Sequence, residues 1–152
     1  MAVKIIKWML VVSCMISIFC FSADTADEST MKSNHVIVSI AELFVGHNLS
    51  LEEREEKIEE YVTLVRKGAH FLIYFVLGFL MISLLIEYKE MHWKLLFLAF
   101  LFSTLYAFSD EIHQLFVPGR SGSIIDVGID SIGSYFGVLL YSFYYRLRRK
   151  HE

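Results

Sequence analysis

Proline and cysteine are scarce in this sequence. A single proline in 152 residues leaves long stretches in which nothing breaks a helix, because proline in a helix interior removes a backbone hydrogen bond. The only two cysteines, Cys14 and Cys20, lie inside the first apolar stretch and form neither a CxxC pair nor a zinc-type Cys/His spacing. We expect them to act as small apolar side chains that face lipid or other helices.

A basic stripe of the kind that binds nucleic acid is also absent, and no nucleic-acid partner is expected. The formal net charge is only −3, and the charged residues concentrate between apolar blocks. The chain is 55% hydrophobic with a mean hydropathy of +0.50, whereas soluble domains are about 45–50% apolar. This excess and its distribution in blocks favour a membrane protein.

Four apolar stretches approach or reach the roughly 17–25 residues that a membrane-spanning helix needs. They run approximately from Ile5 to Ala23, from Gly68 to Ile86, from Trp93 to Ser109 and from Ile124 to Tyr145. The sequence therefore predicts an all-α fold, a polytopic membrane bundle of about four transmembrane helices.

The first stretch, residues 1–23, is predicted to be an N-terminal transmembrane anchor. The alternative is a signal peptide, because a short basic region precedes the apolar run. Cleavage after Ala23 would place Phe21 at the third position before the cut, where a small residue is expected. An uncleaved anchor is therefore the favoured interpretation.

The connection between the first two stretches, residues 24–64, is predicted to be an acidic, amphipathic, extracytoplasmic segment. Apolar residues from Ile37 to Val45 recur at helical spacing, and a break follows at Gly46. Ser50 and Glu53 have the spacing of a capping box that starts a second helix. The run of glutamates that follows is expected to be a solvated face of helices that lie on the membrane surface, and not a metal site.

Orientation follows from the lysine and arginine residues in the short flanks of the spans. With the N-terminus inside, 8 of the 14 basic residues fall in short cytoplasmic segments. Arg66 and Lys67, beside the second span, count against this assignment. We predict a multi-pass protein of the cell membrane with both termini cytoplasmic and a basic cytoplasmic tail at residues 146–152.

Charged and polar side chains gather at three predicted helix ends that this topology places on one side of the membrane. A charge inside hydrocarbon costs about 2.5–3.5 kcal/mol on insertion scales, so its presence needs a reason. We therefore predict a polar pocket at the outer membrane surface. Its expected ligand-binding residues are Lys67, His70, Tyr74, Asp110, Glu111, Gln114, Arg120, Asp126 and Asp130.

The residue types in this pocket suit several kinds of chemistry. Arg120 and Lys67 suit anionic oxygen atoms. His70, Asp110 and Glu111 are the candidate catalytic residues if protons are moved. No tight metal-ligand signature is present and no cofactor is expected, although carboxylates and histidine at such spacing suit Mg²⁺ or Mn²⁺ as an alternative. A further alternative is an ion-paired cluster that only locks three helices together.

The fourth stretch also carries a small-xxx-small motif. Gly133 and Gly137 are one helical turn apart and would let another helix approach closely. Membrane lipids are expected partners, and a homo-oligomer through this glycine face is a further expectation.

Taken together, the polar motifs resemble those of the VanZ-like family of membrane proteins. The matching pieces are Arg66-Lys67-Gly68-Ala69-His70-Phe71 with Tyr74 and Leu77-Gly78, then Ser109-Asp110-Glu111-Ile112-His113-Gln114, then Phe116-Val117-Pro118-Gly119-Arg120-Ser121-Gly122, and finally Asp126-Val127-Gly128-Ile129-Asp130 with Gly133. The resemblance implies a VanZ-like three-helix membrane domain over residues 65–145. It also implies a Gram-positive cell-envelope protein, similar to a factor that gives low-level resistance to the lipoglycopeptide antibiotic teicoplanin. It implies no established reaction.

Three functions are compatible with these observations. The first is an envelope factor whose pocket binds the headgroup of an anionic lipid or of a lipid-linked envelope precursor. The second is a membrane hydrolase or transferase that acts on a lipid-linked phosphate or glycan. The third is a small transporter subunit with Asp126 and Asp130 on an ion path. Because no nucleophile motif is recognisable, the sequence leaves open whether the protein is an enzyme.

Overall fold

The computed structural model describes residues 1–149, which form five α-helices and no strand. The last part of the predicted basic tail, including Lys150, lies outside the described residues. The helices are α1 (Ala2–Ser22), α2 (Ala26–Val45), α3 (Leu51–Leu85), α4 (Trp93–Gln114) and α5 (Ile124–Arg149).

Four of these helices, α1, α3, α4 and α5, are long and apolar enough to cross a membrane. Large apolar side chains on their outer faces, such as Phe102 and Phe136, are exposed. A soluble protein rarely exposes continuous apolar surface, whereas a bundle in lipid does so along its whole length. The structure thus confirms the predicted all-helical membrane bundle.

Helix α3 is the centre of the bundle and packs against each of the other four helices, most extensively against α5. The two helices approach closely because glycines lie at their interface. A Cβ atom added at Gly133 or Gly137 would overlap the carbonyl oxygen of Phe71 or Phe75, respectively. The predicted glycine face is therefore occupied by α3 within one chain. A homo-oligomer through this face stays a prediction.

Helices α2 and α3 form a hairpin beyond one end of the bundle. Gly46 ends α2 with a left-handed φ of 78°, as the predicted break requires. Ser50 and Glu53 then form the predicted capping box at the start of α3. An ion pair of 2.8 Å between Arg54 and Glu42 joins the two helices beside the turn.

The structure differs from the expected surface helices in one respect. Helix α3 runs without interruption through 35 residues, a length of about 52 Å at 1.5 Å per residue. The hydrocarbon core is only about 30 Å thick, so the amphipathic first part of α3 continues along the axis of the spanning part. No proline interrupts residues 51–85, and Gly68 is tolerated as one isolated helical glycine.

At the opposite end of the bundle, α1 is attached to the segment between α3 and α4. The Lys7 Nζ atom contacts a Glu87 carboxylate oxygen at 2.6 Å and donates to the Ser83 carbonyl at 2.8 Å. The hydrogen bond from Lys7 lowers the pKa of the Glu87 carboxyl below its ordinary value. Trp8 donates a 2.9 Å hydrogen bond to the Tyr88 hydroxyl. These contacts fix the register of α1 against α3.

Candidate functional site

The candidate site lies at the end of the bundle from which the α2–α3 hairpin projects. Four helix segments meet there: the C-terminal ends of α1 and α4, the N-terminal end of α5, and the part of α3 around His70. The loop of residues 115–123 closes the site beside α2, where the Ala26 backbone N–H donates to the Pro118 carbonyl at 3.4 Å.

Three buried carboxyl groups form the interior of the site. Asp110, Glu111 and Asp130 are 3%, 5% and 0% exposed. The Nδ1 atom of His70 lies 3.7 Å from the Oδ2 atom of Asp130. Asp110 has partners on two elements, because its Oδ2 atom accepts a 2.7 Å hydrogen bond from the Ser22 hydroxyl and a 3.3 Å hydrogen bond from Gln114.

Glu111 attaches the closing loop to α4. One of its carboxylate oxygens accepts a 2.8 Å hydrogen bond from the Ser123 backbone N–H, and the other accepts one of 3.1 Å from Gln114. Both oxygens of Glu111 are therefore used within the protein. This geometry gives Glu111 a positioning task and makes it less available for a ligand than Asp130.

Arg120 links the loop to the end of α1 and to α4 through three neutral acceptors. Its guanidinium donates to the Asp24 carbonyl at 2.8 Å, the Phe21 carbonyl at 3.2 Å and the Gln114 side-chain oxygen at 3.2 Å. Burial lowers the pKa of Arg120, yet an arginine in a protein keeps its proton. Within residues 1–149, no carboxylate lies at ion-pair distance from Arg120 or from the neighbouring Arg66.

Lys67 behaves differently, because its Nζ atom lies 3.3 Å from a carboxylate oxygen of Asp126. Both side chains are partly exposed, so this pair lies at the rim of the site. Tyr74 is deeper and completely buried. Its hydroxyl has no hydrogen-bond partner within the described residues and lies within electrostatic range of Asp110 and Asp130.

Two spaces that share lining residues adjoin these side chains. We call the first the polar cavity; it has a volume of about 70 Å³. It is lined by Ala26, Arg66, Lys67, His70, Glu111, Gln114, Gly119, Arg120, Ser121, Asp126, Ile129 and Asp130. Since a cavity of about 10–15 Å³ by this measure holds one water molecule, the polar cavity has room for a small anion or a hydrated ion.

The second space, which we call the apolar groove, lies between α1, α2 and α3 and has a volume of about 310 Å³. Its apolar lining is formed by Ile18, Phe21, Val36, Val65, Ala69 and Ile73. Arg66, His70 and Arg120 line both spaces. The two arginines therefore lie at the junction of a polar cavity and an apolar groove.

Comparison with protein families decides the affiliation of the chain. The model of the VanZ/LLP1 family matches residues 7–145. The chain belongs to the VanZ/LLP1 family. The match begins within α1 and includes the α2–α3 hairpin, in addition to the motifs on which the resemblance rests. No curated protein and no solved structure matches the chain.

In this VanZ/LLP1 chain, the nine residues expected to bind a ligand do meet at one end of the bundle. Seven of them line the polar cavity: Lys67, His70, Glu111, Gln114, Arg120, Asp126 and Asp130. Asp110 and Tyr74 lie beside them. Their proximity is a structural observation, whereas their part in binding or catalysis stays a prediction.

Sequence reasoning missed the contribution of α1. Ser22 and the carbonyls of Phe21 and Asp24 hold Asp110 and Arg120 in place. The available signal was weak, because Ser22 ends an apolar stretch without any motif. In the sequence, Arg66 bears on orientation and belongs to a matching motif, and neither feature places it in the site. Its position at the junction follows from the packing of α3 against α1 and α2.

Proposed function

We propose that this VanZ/LLP1 protein is a cell-envelope factor that binds an amphiphile with a phosphate-bearing headgroup. The headgroup would contact Arg66 and Arg120, and the hydrocarbon chain would occupy the apolar groove. The observation that carries the proposal is the position of two arginines, neither ion-paired with a carboxylate of residues 1–149, among the residues that line both spaces.

The electrostatics of the site support an anionic ligand at this position. Lys67 is neutralised by Asp126, whereas Arg120 uses its donors on neutral oxygens. A planar guanidinium binds phosphate oxygens with two parallel hydrogen bonds. The acidic interior next to these arginines would repel an anion, so a headgroup phosphate is expected at the junction and not beside Asp130.

The apolar groove supports an amphiphile over a free phosphate. Its volume is within the usual range of about 300–1,000 Å³ for small-molecule sites. Its walls come from α1, α2 and α3, and at the proposed depth near the membrane surface a lipid would enter it without leaving the bilayer. Phospholipid and lipid-linked envelope precursor share this chemistry, namely a phosphate ester on a long apolar chain.

A direct test measures binding of both kinds of lipid to the purified full-length protein in a neutral detergent. A fluorescent phosphatidylglycerol and a fluorescent polyprenyl phosphate would be titrated separately. We expect Arg120→Ala and Arg66→Ala to weaken binding by about tenfold each, or roughly 1.4 kcal/mol. Added salt should weaken binding to the intact protein.

Arg54→Ala is the matched control, since it removes an arginine from the remote α2–α3 turn. The proposal fails if neither lipid binds saturably, or if all three arginine variants bind equally well. A preference for one lipid would separate the two sources of the headgroup.

The same site leads to an expectation for antibiotic tolerance. A protein that holds an envelope lipid or precursor would change the access of membrane-anchored lipoglycopeptides such as teicoplanin, the phenotype that the family resemblance implies. We expect the intact protein to raise tolerance in a susceptible Gram-positive host, and Arg120→Ala, Asp110→Asn and Asp126→Asn to reduce it at matched membrane levels. Unchanged susceptibility with the intact protein would contradict this part of the proposal.

An enzyme is the second candidate, and the close approach of His70 to Asp130 favours it. A half-buried imidazole beside a buried carboxylate is a common arrangement for proton transfer. The reaction would be hydrolysis or transfer at the bound phosphate or glycan. Turnover of a lipid-linked phosphate by the intact protein, with complete loss in Asp130→Asn and retained lipid binding, would favour the enzyme over the binding protein.

A further inference from the structure

We infer that His70, Asp110 and Asp130 form a binding site for a divalent metal ion in the interior of the candidate site. One ligand atom from each residue can be chosen so that all three lie within 4.8 Å of one another. They come from three different helices, α3, α4 and α5. The inference goes beyond the proposed headgroup binding and does not depend on it.

The state of Asp130 is the observation that points to a ligand. This side chain is fully buried, and neither of its carboxylate oxygens has a hydrogen-bond partner within the described residues. The Nδ1 atom of His70, which faces it at 3.7 Å, is also without a hydrogen-bond partner among residues 1–149. Buried carboxylates are normally hydrogen-bonded, paired or bound to metal, because burying an uncompensated charge is costly.

The spacing of the three groups is close to that of a metal site. Nitrogen and oxygen ligands lie about 2.0–2.2 Å from a bound transition metal, so ligand atoms on one metal are separated by roughly 3.0–4.4 Å. Because the three ligand atoms lie within 4.8 Å of one another, small side-chain rotations would bring them to these separations. One imidazole and two carboxylates suit Mn²⁺ or Zn²⁺ better than metals that prefer sulfur.

The surroundings of Asp110 resemble the outer shell of a metal site. Ser22 and Gln114 donate hydrogen bonds to its Oδ2 atom and so fix the orientation of the carboxylate. Groups that hold ligands in this way are a regular feature of metal sites. Three protein ligands leave coordination positions open for water.

The competing explanation is a charged pair between protonated His70 and Asp130, with no metal. The two explanations differ in what they predict for added metal. A charged pair without a metal would not bind added Mn²⁺. A metal site would bind Mn²⁺ with a defined stoichiometry. It would also bind Zn²⁺ in competition, since both ions use the same three ligands.

The test uses the full-length chain, purified in a detergent without phospholipid and treated with a chelator that is then removed. Mn²⁺ is titrated, and free Mn²⁺ is followed by its electron paramagnetic resonance signal. We expect one Mn²⁺ per chain, displaced by Zn²⁺, with affinity lowered at least about tenfold in Asp130→Asn and His70→Gln. Asp27→Asn is the control, because this carboxylate is in the first turn of α2 and outside the polar cavity.

The inference would be overturned if the intact protein bound neither Mn²⁺ nor Zn²⁺ saturably. It would also be overturned if the Asp130→Asn and His70→Gln variants bound Mn²⁺ as tightly as the intact protein. A second measurement covers the case in which the variants do not fold. The thermal unfolding midpoint of the intact protein should rise with Mn²⁺ concentration and saturate; an unchanged midpoint would count against the site. Because lipid is absent throughout, failure here leaves the headgroup proposal standing, and failure of lipid binding leaves the metal site standing.

Discussion

Ser22 shows how a single unremarkable residue holds the candidate site together. Its hydroxyl donates a 2.7 Å hydrogen bond to Asp110, a residue 88 positions away in the sequence, and both side chains are buried. This bond ties the end of α1 to the end of α4. It also provides the Asp110 carboxylate with a donor where water has little access.

Replacing Ser22 by alanine should destabilise the protein. We expect Ser22→Ala to lower the free energy of unfolding by about 1–3 kcal/mol, because a hydrogen bond to a charged group is lost and a buried acceptor is left with fewer donors. Thermal unfolding in detergent checks the change. Ser17→Ala is the control, since Ser17 is only partly buried and, among residues 1–149, its hydroxyl donates to the Ser13 carbonyl one turn earlier and not to a carboxylate. Equal midpoints for the two variants would contradict the prediction.

The residue types of the site were readable from the sequence, but their pairings were not. Lys67, His70, Asp126 and Asp130 stand out because charge within an apolar stretch is costly. That His70 faces Asp130 while Lys67 faces Asp126 depends on the relative rotation of α3 and α5. Periodicity in one helix does not fix its rotation against another.

At the scale of elements, the contact between α3 and α5 determines whether the site is assembled. These helices carry His70 and Asp130, and glycines at their interface bring the backbones together. In lipid, exclusion of water does not drive helices together. Close packing of this kind stabilises their association instead. The glycines of α5 thereby position the acidic interior.

Two glycines of α5 give a matched pair of variants. A Cβ atom at Gly137 would overlap the Phe75 backbone, whereas one at Gly128 would meet nothing within 4 Å. We expect Gly137→Ala to lower the unfolding midpoint by separating α3 from α5, with a loss of roughly 1–3 kcal/mol typical of overpacking. Gly128→Ala should be neutral or stabilising by up to about 1 kcal/mol, the helix propensity difference. Thermal unfolding of both variants is the measurement, and a lower midpoint for Gly128→Ala than for Gly137→Ala would refute the packing account.

The α2–α3 hairpin shows which element boundaries can be predicted from sequence and which cannot. Its capping box at Ser50 and its break at Gly46 follow from local sequence chemistry, and both were predicted correctly. That α3 continues from the hairpin into the bundle was not predicted. In the sequence, the change from an acidic amphipathic pattern to an apolar one looks like the boundary between two helices. The backbone needs no break there, because only the surroundings of the helix change, from water to lipid.

At the scale of the whole molecule, the structure separates two ends. The hairpin, the 115–123 loop and the polar cavity are at one end, whereas the start of α1, the segment between α3 and α4, and the end of α5 are at the other. The structure fixes which elements share an end. Which end faces the cytoplasm rests on the distribution of lysine and arginine in short flanks.

Labelling with a membrane-impermeant maleimide tests this orientation. In a background with Cys14 and Cys20 replaced by serine, we expect Asn48→Cys to react in intact cells and Glu90→Cys to react only after the membrane is opened. The reason is that 8 of the 14 basic residues fall in the short segments that the predicted topology places on the same side as Glu90, and cytoplasmic segments favour lysine and arginine. The reverse pattern would place the polar cavity on the cytoplasmic side and would contradict an outer-surface headgroup site.

The sequence by itself determined that this protein is an all-helical membrane chain with four spans. It also determined that the charges gather at helix ends that the topology places together. Hydropathy and charge suffice for this, because the cost of polar groups in hydrocarbon is local to each residue. Only the tertiary structure decided which side chains face one another. It placed Ser22 and the end of α1 in the site and buried Asp130 beside His70. Within the part of the chain that the structure describes, it left Arg66 and Arg120 without an ion-paired carboxylate. In a membrane protein, lipid-facing and core-facing surfaces are both apolar, so the rotation of each helix is set by packing contacts that no single stretch of sequence displays.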